Sequence, residues 1–175
     1  MEKLHILICG PRGVGKSTLI EKLLNLTTLP VSGFVTRSTP RDETGYHSIY
    51  IHPAADRVRL RTRENHIGDC TGRERTVNTE VFTDVGVPLL QAEEGIIFMD
   101  ELGFMETGSK PFCDAVLHAL DGDIPVIAAV KERYDIPFLN QVRQHTKAAR
   151  YVITKENRDA LYEELSEKIR QWNKR

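Results

Sequence analysis

"GPRGVGKST", residues 10–18, decides how the rest of the chain is read. It fits the pattern G-x-x-x-x-G-K-[ST] in full. It also lies between an apolar run, "LHILICG" (4–10), and a segment with apolar residues at helical spacing, Leu19, Ile20, Leu23 and Leu24. Strand, glycine-rich turn, helix is the context that pattern requires. Gly10, Gly13 and Gly15 let the backbone curl so that successive N–H groups face one concave pocket. The start of the following helix adds partial positive charge. Gly10, Pro11, Arg12, Gly13, Val14, Gly15, Lys16, Ser17 and Thr18 are therefore expected to cradle a polyphosphate. Lys16 would reach the β- and γ-phosphates of a nucleoside triphosphate, and the Ser17 hydroxyl would ligate Mg²⁺.

A phosphate loop of this kind needs an acid from a second strand, and "GIIFMDELGFME" (95–106) supplies one. Ile96, Ile97, Phe98 and Met99 read as a strand buried on both faces, closed by Asp100 and Glu101. Charge is costly to bury unless a metal, a partner or a chemical step uses it. Asp100 is expected beside the Mg²⁺, and Glu101 is placed to polarise a water in line with the γ-phosphate. Kinases and small GTPases mostly lack a glutamate there. The plainer account is that Glu101 caps a strand end. Gly103 follows, and Glu106 is expected either behind the metal or paired with a basic residue on the loop side.

Outward from these two stretches the pattern alternates. "VSGFVTR" (31–37), "YHSIYIH" (46–52) and the alternating "DRVRLRTR" (56–63) read as strands, with a turn at Gly45. The segment from there to Asn78 is polar and carries no clear element. Residues 79–94 are helical in character, broken near Gly86 and Pro88. A helix over 109–120, a strand at "IPVIAAV" (124–130), a short helix over 137–145, a strand at "ARYVIT" (149–154) and a helix over 157–172 complete the chain. Strands alternating with helices predict an α/β fold, a mainly parallel sheet covered by helices on both faces, with an antiparallel β-hairpin at one edge. A length of 175 residues predicts one domain over 1–175.

Composition narrows the class. With 40% hydrophobic and 28% charged residues and a net charge of −1, the chain reads as an ordinary globular protein. That balance argues against a nucleic-acid partner. No apolar run approaches the ~20 residues that span a bilayer, so a cytoplasmic location and no membrane partner are expected. The oligomeric state is not readable. Cys9, Cys70 and Cys113 form no ligand spacing, and Cys9 reads as a small buried hydrophobe.

Several arginines compete for the role of neutralising charge on the transferred phosphoryl group. Arg73 and Arg75 could do so from a lid, and Arg12 and Arg37 are rivals. Arg57, Arg59, Arg61 and Arg63 would share one strand face, as a solvated face or as a basic surface. "TKEN" (154–157) stands where guanine-specific GTPases carry N-K-x-D. Asn157 replaces the acid that reads guanine, and it also reads as a helix N-cap.

"GPRGVGKSTLIEKL", "SGFVTRS", "TGYHSIYI", "IIFMDELGFME" and "ITKENRDAL" together resemble, in order and context, the thermophile-type nucleoside-triphosphatases, called cancer-related nucleoside-triphosphatases in vertebrates. The likeness runs from about Leu4 to Leu165. Its most diagnostic piece is Asp100-Glu101-Leu102-Gly103 followed by Met105-Glu106. It implies a RecA-like P-loop fold, Mg²⁺ dependence and slow hydrolysis of several nucleoside triphosphates. It also carries the loop role onto Gly10–Thr18 and the metal and water roles onto Asp100 and Glu101. The chain departs from the family at Thr36-Arg37-Ser38-Thr39, where T-x-E is usual, and around residues 57–78. Mg²⁺-dependent triphosphate hydrolysis is the expected activity. The alternatives are a small-molecule (nucleoside or nucleotide) kinase and a nucleotide-regulated module that binds RNA or protein.

Overall fold

A computed structural model describes residues 3–174. Its frame is an eight-stranded sheet in the order β5-β4-β3-β2-β6-β7-β1-β8. The strands are β1 (His5–Cys9), β2 (Val31–Ser38), β3 (His47–Pro53), β4 (His66–Thr71), β5 (Glu74–Val77), β6 (Ile96–Leu102), β7 (Val126–Val130) and β8 (Ala148–Val152). Pairing is parallel between β2 and β6, β6 and β7, β7 and β1, and β1 and β8. It is antiparallel from β2 through β5. This is the mainly parallel α/β sheet that the alternation predicts.

Side chains on opposite sides of the pleat feed two cores. Ile6 and Ile8 of β1 pack with Ile96 and Phe98 of β6 under α1 (Lys16–Leu24) and α6 (Arg158–Trp172). Leu7 and Cys9 join Ile97 and Met99 on the other face. That face is covered by the short helices α2 (Thr79–Val81) and α3 (Val87–Leu89), by α4 (Lys110–Asp121) and by α5 (Pro137–Arg143). Burial on both faces is why β1, β6 and β7 are near-continuous apolar runs. Cys9 is fully buried, as a small hydrophobe would be.

The expected hairpin is larger than the sequence suggested. Residues 56–63 are not a strand: Asn65 closes them into a loop, accepting from the Thr62 amide (2.8 Å) and donating to the carbonyls of Leu60 and Ile51 (both 2.9 Å). One amide side chain thus satisfies the Thr62 amide and the Leu60 carbonyl and ties the loop to β3 without a strand partner. The polar segment after it supplies β4 and β5 instead, joined at Gly72, so the edge is a four-stranded meander. The break near Gly86 is a π turn, Phe82–Gly86, that links α2 to α3. Gly86 fits there because a Cβ would lie 2.7 Å from the Phe112 ring.

One glycine sets how the meander joins the parallel strands. Gly33 in β2 has φ +98°, and a Cβ there would stand 1.9 Å from the Phe98 carbonyl oxygen. Only glycine permits this approach. The resulting register sets Val35 opposite Asp100, and Thr36 follows within reach of the acid-tipped end of β6.

Candidate active site

The carboxyl ends of β1, β6 and β7 open onto a cleft of about 890 Å³ that continues across the meander. Ligands of open α/β sheets bind in this position. One wall is the glycine-rich loop, with φ positive at Gly10 (+154°), Gly13 (+78°) and Gly15 (+111°). Lys16, only 7% exposed, donates from Nζ to the carbonyl oxygens of Gly10 (2.7 Å) and Pro11 (3.1 Å). Pro11, Arg12, Ser17 and Thr18 line the cleft, whereas the Val14 side chain is turned into the core.

Asp100 lies inside the protein at 1% exposure, and each of its oxygens has a partner. The Ser17 hydroxyl donates to Oδ1 at 3.0 Å, and Arg37 Nη1 donates to Oδ2 at 2.8 Å. The Thr36 hydroxyl donates to its backbone carbonyl at 3.2 Å. A buried carboxylate so enclosed is compensated. Arg37 also pairs with Glu21 of α1, which Arg59 approaches at 2.7 Å. Burial pushes the Glu21 carboxyl up, but the hydrogen bonds of Arg59 and Arg37 outweigh it and hold the group below its ordinary range.

Glu101 stands between two ammonium groups. Lys16 Nζ lies 3.7 Å from Oε2, and Lys131 Nζ, just past β7, lies 3.7 Å from Oε1. The Lys131 ammonium is also 5.2 Å from the centre of the Phe104 ring, which Arg75 approaches at 5.0 Å. Sequence reasoning missed Lys131. The signal was available, since "IPVIAAVK" puts a cation at the tip of a parallel strand just as "IIFMDE" puts acids there.

The remaining expected residues fall in different places. Glu106, 3% exposed, pairs with no base of the loop side. Its Oε1 accepts from the Gly103 amide and ties the turn after β6. Burial pushes its carboxyl up to about 7, against the pull of that amide and of Lys131 and with the push of Glu101. Arg73 is exposed at the β4–β5 turn, outside the cleft wall, and Arg75 takes the place beside Phe104 instead. Arg37 serves Asp100. Arg57, Arg61 and Arg63 are exposed on the 54–65 loop and share no strand face.

Asn157 precedes α6 without capping it. Its Oδ1 accepts from the Thr154 amide (2.7 Å) and its Nδ2 donates to the Val152 carbonyl (2.8 Å). Both polar atoms serve the backbone of the loop after β8.

Among the described residues no cluster of three or more His, Cys, Asp or Glu side chains could hold a metal. Beside the loop stand a hydroxyl and a carboxylate, Ser17 of α1 and Asp100 of β6, within 3.0 Å of each other. That oxygen-only pair suits Mg²⁺, which takes few protein ligands and keeps waters and substrate phosphates. Among the described residues no helix is long and apolar enough to cross a membrane.

The sequence model of the NTPase family matches residues 5–166. The chain is 26% identical over 172 residues to nucleoside-triphosphatase THEP1 of Aquifex aeolicus, covering 93% of this chain and 97% of that one. It is 30% identical to the protein of that name from Methanocaldococcus jannaschii, covering 95% and 97%. A cancer-related nucleoside-triphosphatase homolog of Mus musculus is 26% identical, covering 92% and 94%. The crystal structure of THEP1 from Aquifex aeolicus superposes with a TM-score of 0.70 at 26% identity, covering 92% of this chain and 96% of that one.

Proposed function

The chain belongs to the NTPase family, and on that premise we propose that it is a Mg²⁺-dependent nucleoside-triphosphatase, cleaving ATP, GTP and other nucleoside triphosphates slowly to diphosphate and phosphate. The observation that carries this reading is the placement of Glu101. It follows directly on the carboxylate that bonds Ser17, and it lies at 3.7 Å from both Lys16 and Lys131.

In this reading the loop amides and Lys16 hold the β- and γ-phosphates. Ser17 and Asp100 hold the Mg²⁺, which supplies positive charge to the phosphate oxygens. Arg37 fixes Asp100 from the side away from Ser17. Glu101 orients a water toward the γ-phosphorus and receives its proton, while the bond from phosphorus to the bridging oxygen breaks and the diphosphate leaves with the electron pair. Lys16 and Lys131 hold the Glu101 carboxylate in place from either side, and Lys131 adds charge on the γ side. Slow turnover is expected because Arg37, one of the candidates for neutralising the phosphoryl charge, is engaged by Asp100 and Glu21 instead, and a residue in that role is worth ~10³-fold or more.

Phosphate release from MgATP tests the proposal. Activity is expected in the wild type, loss with EDTA, and loss of both turnover and nucleotide affinity in Lys16→Ala. Hydrolysis at the wild-type rate by Lys16→Ala would overturn it.

A further inference from the structure

The cleft is longer than its phosphate loop. Beyond Glu101 its far wall is one face of the meander, where pairing puts His47, Cys70 and Arg75 in a row across β3, β4 and β5. Ile49 and Ser38, paired with each other, make the next row toward β6, and Arg41 reaches in from the β2–β3 loop. β3 and β4 lie two and three strands from the strand that carries Glu101. At ~4.8 Å per strand those are separations of about 10 and 14 Å. A triphosphate seated on the loop with its γ end at Glu101 leaves this wall to something else.

The charges point to what that is. Among the described residues the arginines in ion pairs are Arg37, Arg59, Arg133 and Arg170. Arg41 and Arg75 have no carboxylate partner there, although both line the cleft and the chain as a whole is near neutral. Arg75 donates only to the Arg73 carbonyl and turns back over Phe104. Two guanidinium groups without a carboxylate partner and a histidine, lining the same cleft as Ile49 and Cys70, match a doubly charged phosphate on a small carbon skeleton.

We propose that this far wall is a second anion subsite, distinct from the phosphate loop, that takes a small phosphomonoester, its phosphate held by Arg41 and Arg75. The inference rests on the triphosphatase reading only in assigning the first anion to the loop.

Phenyl phosphate is the probe, titrated calorimetrically into protein saturated with Mg²⁺ and β,γ-methylene-ATP. One saturable event is expected, weakened at least tenfold in Arg41→Ala and in Arg75→Ala, while affinity for the analogue changes less than twofold. Absence of saturable binding, displacement of the analogue by the probe, or equal binding in the variants would overturn the subsite. Should the analogue fail to bind wild-type protein, the triphosphatase reading falls. The same titration of nucleotide-free Lys16→Ala protein then decides the subsite alone. Binding that Arg75→Ala removes supports it, and no binding overturns it.

Discussion

Asp100 and Glu101 are adjacent carboxylates in opposite surroundings, and their replacements should fail differently. Asp100 is buried between Ser17 and Arg37, so Asp100→Asn should raise the Mg²⁺ requirement and weaken MgATP binding. Glu101 touches no hydroxyl and faces two lysines, so Glu101→Gln should bind MgATP nearly as well as wild type while losing ~10²-fold or more in kcat. Calorimetry beside single-turnover hydrolysis separates the two, and near-normal hydrolysis by Glu101→Gln would reject it as base. Glu106 gives a prediction of another kind. Its carboxyl, ordinarily near 4.5, is pushed to about 7 in the fold. Between those values the folded chain holds a proton that the unfolded chain releases, so this group costs stability as pH rises through that window, up to about 3 kcal/mol. Glu106→Gln keeps an acceptor for the Gly103 amide and removes the titration. Melting wild type and variant at pH 5 and pH 8 should show the wild type losing more; parallel losses would refute the assignment. Lys16, Ser17, Asp100 and Glu101 were legible in the sequence because short local patterns announce them. Arg37 was read as a candidate for the phosphoryl group rather than as the partner of Asp100, and Lys131 was missed, because both meet the acids only through strand order, which a linear pattern does not carry.

Gly33 couples two kinds of sheet. Gly33→Ala would force a Cβ into the Phe98 carbonyl in a left-handed conformation, and the strands would have to part. A loss of at least about 2 kcal/mol is expected, toward the upper end of overpacking costs, with weaker Mg²⁺ coupling because Thr36 and Arg37 reach Asp100 from the same strand. Urea unfolding and a Mg²⁺ titration would measure both, and unchanged values would show that the β2–β6 contact is pliant. The elements themselves were largely readable wherever burial on both faces made long apolar runs. The meander was read one segment out of place. Alternating arginines at 57–63 mimic a half-buried strand, but their loop is satisfied by Asn65, whereas β4 and β5 are held by cross-strand pairing that polar sequences do not advertise.

Across the molecule, base discrimination should be weak. Asn157, which stands in the sequence where guanine-specific GTPases carry an acid, has both its amide atoms engaged by its own loop backbone. ATP, GTP, CTP and UTP are expected within roughly tenfold in kcat/KM, about 1.4 kcal/mol. A thousandfold preference in steady-state kinetics would reveal a base pocket elsewhere. The sheet order also has a consequence in time. β1, made first, sits between β7 and β8, which are made last. On a ribosome adding ~5–20 residues per second, the phosphate loop waits on the order of ten seconds for the strands that brace it. Its amides and Lys16 leave the ribosome early, yet the growing chain can brace them only once β7 and β8 have followed.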